Sequence, residues 1–109
     1  MAKLNRYNDA FSADGDSKLY KFNTGDTNQS VESVGFTVTG TWGSGTATLY
    51  ICVDTAASPL VFAAVPSAAY TEDTGDKWDI PTGCYFKVVL SGSTTPTLAL
   101  ELVGDISPV

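Results

Sequence analysis

The sequence predicts an all-β protein: a single antiparallel β-sandwich or jelly roll with an extended N-terminal arm. Three observations carry that expectation. Apolar residues recur at every second position in short runs, clusters of Gly, Pro, Ser and Thr punctuate those runs, and no stretch reads as a helix of ordinary length. At 109 residues the chain suits one domain.

The elements follow in order. Residues 1–15 are polar, mixed in charge and closed by Asp14-Gly15-Asp16, and they read as the arm; residues 16–109 read as the sandwich. Leu4 to Phe11 and Lys18 to Phe22 are weak strand-like runs. Val34, Phe36 and Val38 then alternate with Gly35, Thr37 and Thr39, so period two buries one face of this run. Trp42 continues the inward parity and closes one end of the core. Gly43-Ser44-Gly45 reads as a hairpin turn into a second run, in which Ala47, Leu49, Ile51 and Val53 face inward. The outward Thr37, Thr39, Thr41, Thr46, Thr48 and Tyr50 of this hairpin make a Thr-rich surface.

The Ala-rich stretch from Ala56 to Ala69 is cut by Pro59 and Pro66, which leaves no room for a helix. Leu60 to Ala64, Ala69 to Thr71 and Lys77 to Ile80 are further weak runs. Pro81-Thr82-Gly83 turns the chain into a strong strand with Cys84, Phe86, Val88 and Leu90 inward. After the Ser91 to Pro96 loop comes a last strand with Leu98, Leu100 and Leu102 inward.

Composition narrows the function. There are 6 Lys and Arg against 12 Asp and Glu, a net charge of −6, and no histidine. That balance argues against a nucleic-acid partner held by a broad basic surface. The commonest general base and metal ligand is absent. Charge is also segregated: Lys3, Arg6, Lys18 and Lys21 lie near the start, and no basic residue occurs from position 22 to 76. No apolar core of a signal peptide follows Lys3 and Arg6, and no window approaches the ~18 apolar residues of a membrane helix. Synthesis in a cytoplasm is therefore expected.

Chemistry-bearing patterns are sparse. Glu72, Asp73, Asp76 and Asp79 cluster in one loop region and Asp14 and Asp16 in another, on Gly-containing segments that lack the fixed spacing of an acid–base pair. The order around Thr71 to Asp76 is not that of a regular calcium loop. No Ser lies in G-x-S-x-G, and no phosphate-binding Gly motif occurs. Cys52 and Cys84 fall on opposite sheet faces by the alternation, so both are expected to be reduced. No catalytic residue, metal or cofactor is expected. Tyr70 and Trp78, flanking the acidic loop, are candidate surface aromatic contacts that could stack on a sugar ring.

The segments FTVTGTWGSGTATLYICVD and IPTGCYFKVVLSGSTTPTLALELV resemble small β-sandwich proteins encoded among the structural genes of tailed bacteriophages. The shared features are Gly40-Thr41-Trp42-Gly43-Ser44-Gly45-Thr46, Pro81-Thr82-Gly83-Cys84-Tyr85-Phe86, Leu90-Ser91-Gly92 and the run Leu98 to Leu102, over about 70 residues, roughly 34 to 103. The resemblance implies a non-enzymatic virion structural protein, best matched in size and fold by a capsid decoration or cement protein on the capsid exterior. Its partners would be the major capsid protein and further copies of itself, as a dimer or trimer. Lys3, Arg6, Tyr7 and Phe11 of the arm are the expected capsid contacts. The alternatives are another virion module, such as a head fibre, tail or baseplate part, and a carbohydrate-binding β-sandwich module.

Overall fold

A computed structural model describes residues 4–23 and 31–109. Its strands are β1 (Asn5–Phe11), β2 (Gly15–Asp16), β3 (Tyr20–Phe22), β4 (Val31–Thr41) and β5 (Thr46–Cys52), followed by β6 (Ala63–Tyr70), β7 (Thr74–Pro81), β8 (Tyr85–Ser91), β9 (Thr97–Gly104) and β10 (Ile106–Pro108). They form two antiparallel sheets packed as a sandwich. The first sheet has the order β1-β9-β4-β7, and the second β10-β3-β8-β5-β6, with β2 also paired to β8.

Chain order and sheet order rarely coincide. Among the described residues, β5 and β6 are the only consecutive strands hydrogen-bonded to one another. The chain otherwise winds back and forth between the layers, which is the jelly-roll arrangement. The expected hairpin at Gly43-Ser44-Gly45 is therefore not one. β4 pairs with β7 and β9, while β5 pairs with β6 and β8. The turn is a corner between sheets, and the expected Thr-rich surface is split between the two outer faces. Gly43 has φ 58°. A Cβ there would lie 2.1 Å from the Thr94 carbonyl oxygen, so the loop after β8 can pack onto this corner only against a glycine.

The alternation places the core largely as expected. Val34, Phe36 and Val38 of β4 and Leu98, Leu100 and Leu102 of β9 meet Ala47, Leu49, Phe86, Val88 and Leu90 of the second sheet, and all are buried. The end of β5 departs from the pattern. Its pairing with β6 shifts register between Thr48 and Tyr50. Ile51 is half-buried and Val53 is exposed, whereas Cys52 is buried. Cys52 stands opposite Tyr85, on the face away from the Ile51–Phe86 pair. Its Sγ donates to the Asp54 carbonyl at 3.4 Å. Cys84 belongs to the inner core, and both cysteines are free.

The expected arm needs the larger correction. Residues 5–11 pair with β9 along their whole length, from Asn5 opposite Gly104 to Phe11 opposite Leu98. Phe11 lies in the core and Tyr7 packs against it. The boundary at residue 15 therefore separates nothing, because β1 is an edge strand of the first sheet. Its alternation was legible, with Asn5, Tyr7, Asp9 and Phe11 on one side, but polar residues at the inward positions masked it. Those polar groups close this flank of the sandwich. The Tyr20 hydroxyl donates to Asp9 at 2.6 Å, Lys18 lies 3.5 Å from the same carboxylate, and Asn5 donates to the Ile106 carbonyl at 3.0 Å. The Tyr7 and Tyr20 rings sit 5.5 Å apart across it.

Candidate interaction surfaces

The carboxylates serve the fold. Asp73 accepts from the Gly40 amide at 3.0 Å and from Trp42 Nε1 at 2.9 Å, tying the β6–β7 turn to the end of β4. Trp42 is accordingly half-buried against the core. Asp79 accepts from the Ser33 hydroxyl at 2.6 Å. Asp14 accepts from the Ser93 hydroxyl and from the Ser93 and Gly92 amides, and these bonds hold its carboxyl below the ordinary value. Asp16 pairs with Lys87 at 2.7 Å. Among the described residues, no group of three or more Cys, Asp or Glu is placed to hold a metal ion.

The expected N-terminal contacts do not form one surface. Lys3 lies outside the described residues. Arg6 is exposed, Tyr7 is half-buried and Phe11 is buried. Tyr7 and Phe11 point into the sandwich, so they cannot serve as free anchors. Burial, reinforced by the Asp9 carboxylate, pushes the Tyr20 phenol well above the tyrosine range.

Tyr70 and Trp78 are brought together, but not as a surface platform. Trp78 is 6% exposed and stacks on Phe36 at 3.9 Å and 10°. Its Nε1 donates to the Tyr70 hydroxyl at 3.0 Å. A ring so covered offers no free face to a sugar, and the expected aromatic contact at Trp78 is corrected on that ground. Tyr70 is half-buried and packs against Phe36 at 5.2 Å. The two residues help to line a cavity of about 310 Å³ between β6 and β7, on the flank opposite β1. Leu49, Ile51, Val65 and Ile80 also line it. Both strands are sheet edges, so the sandwich stays open on this side.

The outer face of the first sheet is the other distinctive surface. Its register sets Arg6, Val103, Gly35 and Lys77 in one row and Asn8, Glu101, Thr37 and Gly75 in the next, followed by Ala10, Ala99 and Thr39. Most of these side chains are short. Arg6 and Lys77 balance Glu101 and Asp79, so the face is near neutral on a chain of net charge −6. Gly35 and Gly75 leave a shallow depression with Thr37, Glu101 and Val103 along its sides. Neither glycine has a positive φ. A Cβ at Gly35 would meet nothing nearer than the Val103 carbonyl at 3.8 Å, and one at Gly75 would touch Thr37 at 3.4 Å. The fold does not require glycine at Gly35. A glycine inside a strand weakens it by about 0.5–1 kcal/mol and often marks the close approach of another surface. Sequence reading missed both positions, although a glycine within a strong alternating run was the available signal.

No protein-family model matches the chain, and no curated protein matches it. Among solved structures, the Yersinia pseudotuberculosis-derived mitogen is similar over 100% of both chains, with a TM-score of 0.55 and 11% sequence identity. At that identity the likeness is one of fold alone. No helix among the described residues is long and apolar enough to cross a membrane.

Proposed function

We propose that this protein is a non-enzymatic structural component of a tailed-phage virion: a decoration protein that lies on the capsid exterior and bridges major capsid protein subunits, working as a dimer or trimer. The observation that carries the reading is the outer face of the first sheet. It is near neutral and built mostly of short side chains, with Gly35 left bare where the fold would accept a side chain. Such a face suits lying against a broad surface. Many copies on a lattice make modest single contacts sufficient through effective concentration. The sequence resemblance over residues 34 to 103 points the same way.

The test separates binding from folding. Mixed with mature shells of the phage that encodes it, the protein should bind at a fixed ratio to coat protein and raise the temperature at which the shells release DNA. Gly35→Thr should keep or slightly raise the melting temperature of the free protein, because threonine favours a strand and glycine does not. The same variant should lower shell occupancy. Virions that lack the protein, or full occupancy by the threonine variant, would reject this reading.

A further inference from the structure

We propose that the cavity between β6 and β7 binds a small neutral molecule, apolar in body and carrying one hydrogen-bond acceptor, which takes the proton of the Tyr70 hydroxyl. This inference is independent of the virion reading, since the cavity lies between two sheet edges and not on the outer face of the first sheet.

The walls select the apolar body. Leu49, Ala68 and Ile80 are buried and form the floor, and Ile51 and Val65 stand half-buried at its sides. An apolar cavity of about 150 Å³ takes benzene, so about 310 Å³ admits a ring with a short substituent. A peptide strand does not suit the rims. Pro66 interrupts β6, and its ladder with β5 shifts register. On β7 the Lys77 amide already donates to Asp76 at 2.8 Å.

Tyr70 selects the acceptor. Trp78 Nε1 donates to its hydroxyl oxygen at 3.0 Å, so the oxygen is engaged and its own proton is left to donate. Among the described residues that proton has no acceptor. The indole thus orients the phenol, and a ligand meets a donor there. Charge selects neutrality. Residues 55 to 71, which include the β6 wall, contain no ionisable acid or base apart from Tyr70. The register turns Lys77 and Asp79 to the outer face and Asp76 inward. Asp76 is exposed at the rim. Its carboxylate repels an anion, and solvent screens what it could offer a cation.

The probe is acetophenone, with ethylbenzene as the counterpart that lacks the acceptor. Each is titrated into the isotope-labelled full chain and followed by NMR. Both should shift the Trp78 indole signal saturably, while the Trp42 indole, bonded to Asp73 outside the cavity, stays in place. Tyr70→Phe should weaken acetophenone roughly three- to tenfold, as loss of one neutral hydrogen bond implies, and leave ethylbenzene unchanged. The Trp78 N–H that this variant releases is buried 3.0 Å behind the lost hydroxyl and does not replace it. Val65→Phe, which puts a ring into the cavity, should abolish binding of both probes while the spectrum stays dispersed. Four results would overturn the proposal: no saturable shift with acetophenone, an equal loss for both probes in Tyr70→Phe, undiminished binding to Val65→Phe, or tighter binding of benzylamine than of acetophenone, which would assign the site to Asp76.

Discussion

The two flanks of the sandwich solve the same problem in opposite ways. Where β1 meets β3 and β10, side chains bridge the sheets: Tyr20 donates to Asp9, Lys18 lies beside that carboxylate, and Asn5 reaches Ile106. Where β6 meets β7, the sheets are joined by one short turn and a cavity remains between the edges. Each flank has a buried or half-buried tyrosine whose hydroxyl is hydrogen-bonded, Tyr20 on one side and Tyr70 on the other. The contrast teaches where stability and binding capacity divide. The closed flank holds the layers together, and the open flank leaves an edge and a hollow unfilled.

The most severe way to break this contrast is to remove residues 1–11. A detached arm would be dispensable, whereas an edge strand with Phe11 in the core is not. The truncated chain should lose its cooperative thermal transition and its dispersed NMR spectrum. An unchanged melt would show that the closed flank is not structural.

Next in size is the pair of tyrosines. Tyr20→Ala should cost about 3–5 kcal/mol, in the range of large aromatic truncations in a core. Tyr70→Ala should cost about 1–2 kcal/mol, because a half-buried ring gives up less area and one aromatic contact. Urea denaturation would measure both, and equal losses would erase the distinction between the flanks.

A subtler change sharpens it. Tyr20→Phe removes only the bond to Asp9 and should cost about 2 kcal/mol at neutral pH, as for a hydrogen bond to a charged group. The folded Tyr20 phenol titrates above its unfolded value of about 10, so its contribution is complete below that pH and declines as the pH rises beyond it. The stability gap between wild type and Tyr20→Phe should therefore narrow above about pH 10. A gap constant up to pH 12 would contradict the buried, neutral phenol.

The smallest effect lies at the loop that Asp14 secures. Its folded carboxyl titrates below the unfolded value of 3.8, so the Gly92 and Ser93 tether persists above that pH and is lost as the pH falls through the lower folded value. The Gly92 and Ser93 amides should then exchange faster at acid pH than in neutral solution after correction for intrinsic rates. Asp14→Asn should remove most of that pH dependence while leaving the global melt nearly unchanged.

Much of this was legible residue by residue. The alternation of Val34, Phe36 and Val38, of Cys84 to Leu90 and of Leu98 to Leu102 follows from the two-residue period of a strand, and it named most of the core. The prolines at 59 and 66 excluded a helix locally. The candidate sites were less legible. Tyr70 and Trp78 were found, but their burial was not, since it depends on Phe36, a residue on another strand that stacks on Trp78. Gly35 is a plain strand residue until the register shows it on an outer face with room to spare.

The all-β class, the inward and outward faces of the strong strands, and the acidic balance with its basic gap all follow from the order of the residues. Which sheet each strand joins, the place of residues 5–11 in the sandwich, and the closing of one flank but not the other emerge only in the folded chain. The reason is the range of the interactions. Alternation and turns act over a few residues, whereas Asn5 meets Ile106 across 101 positions, and nothing local to either residue selects the other.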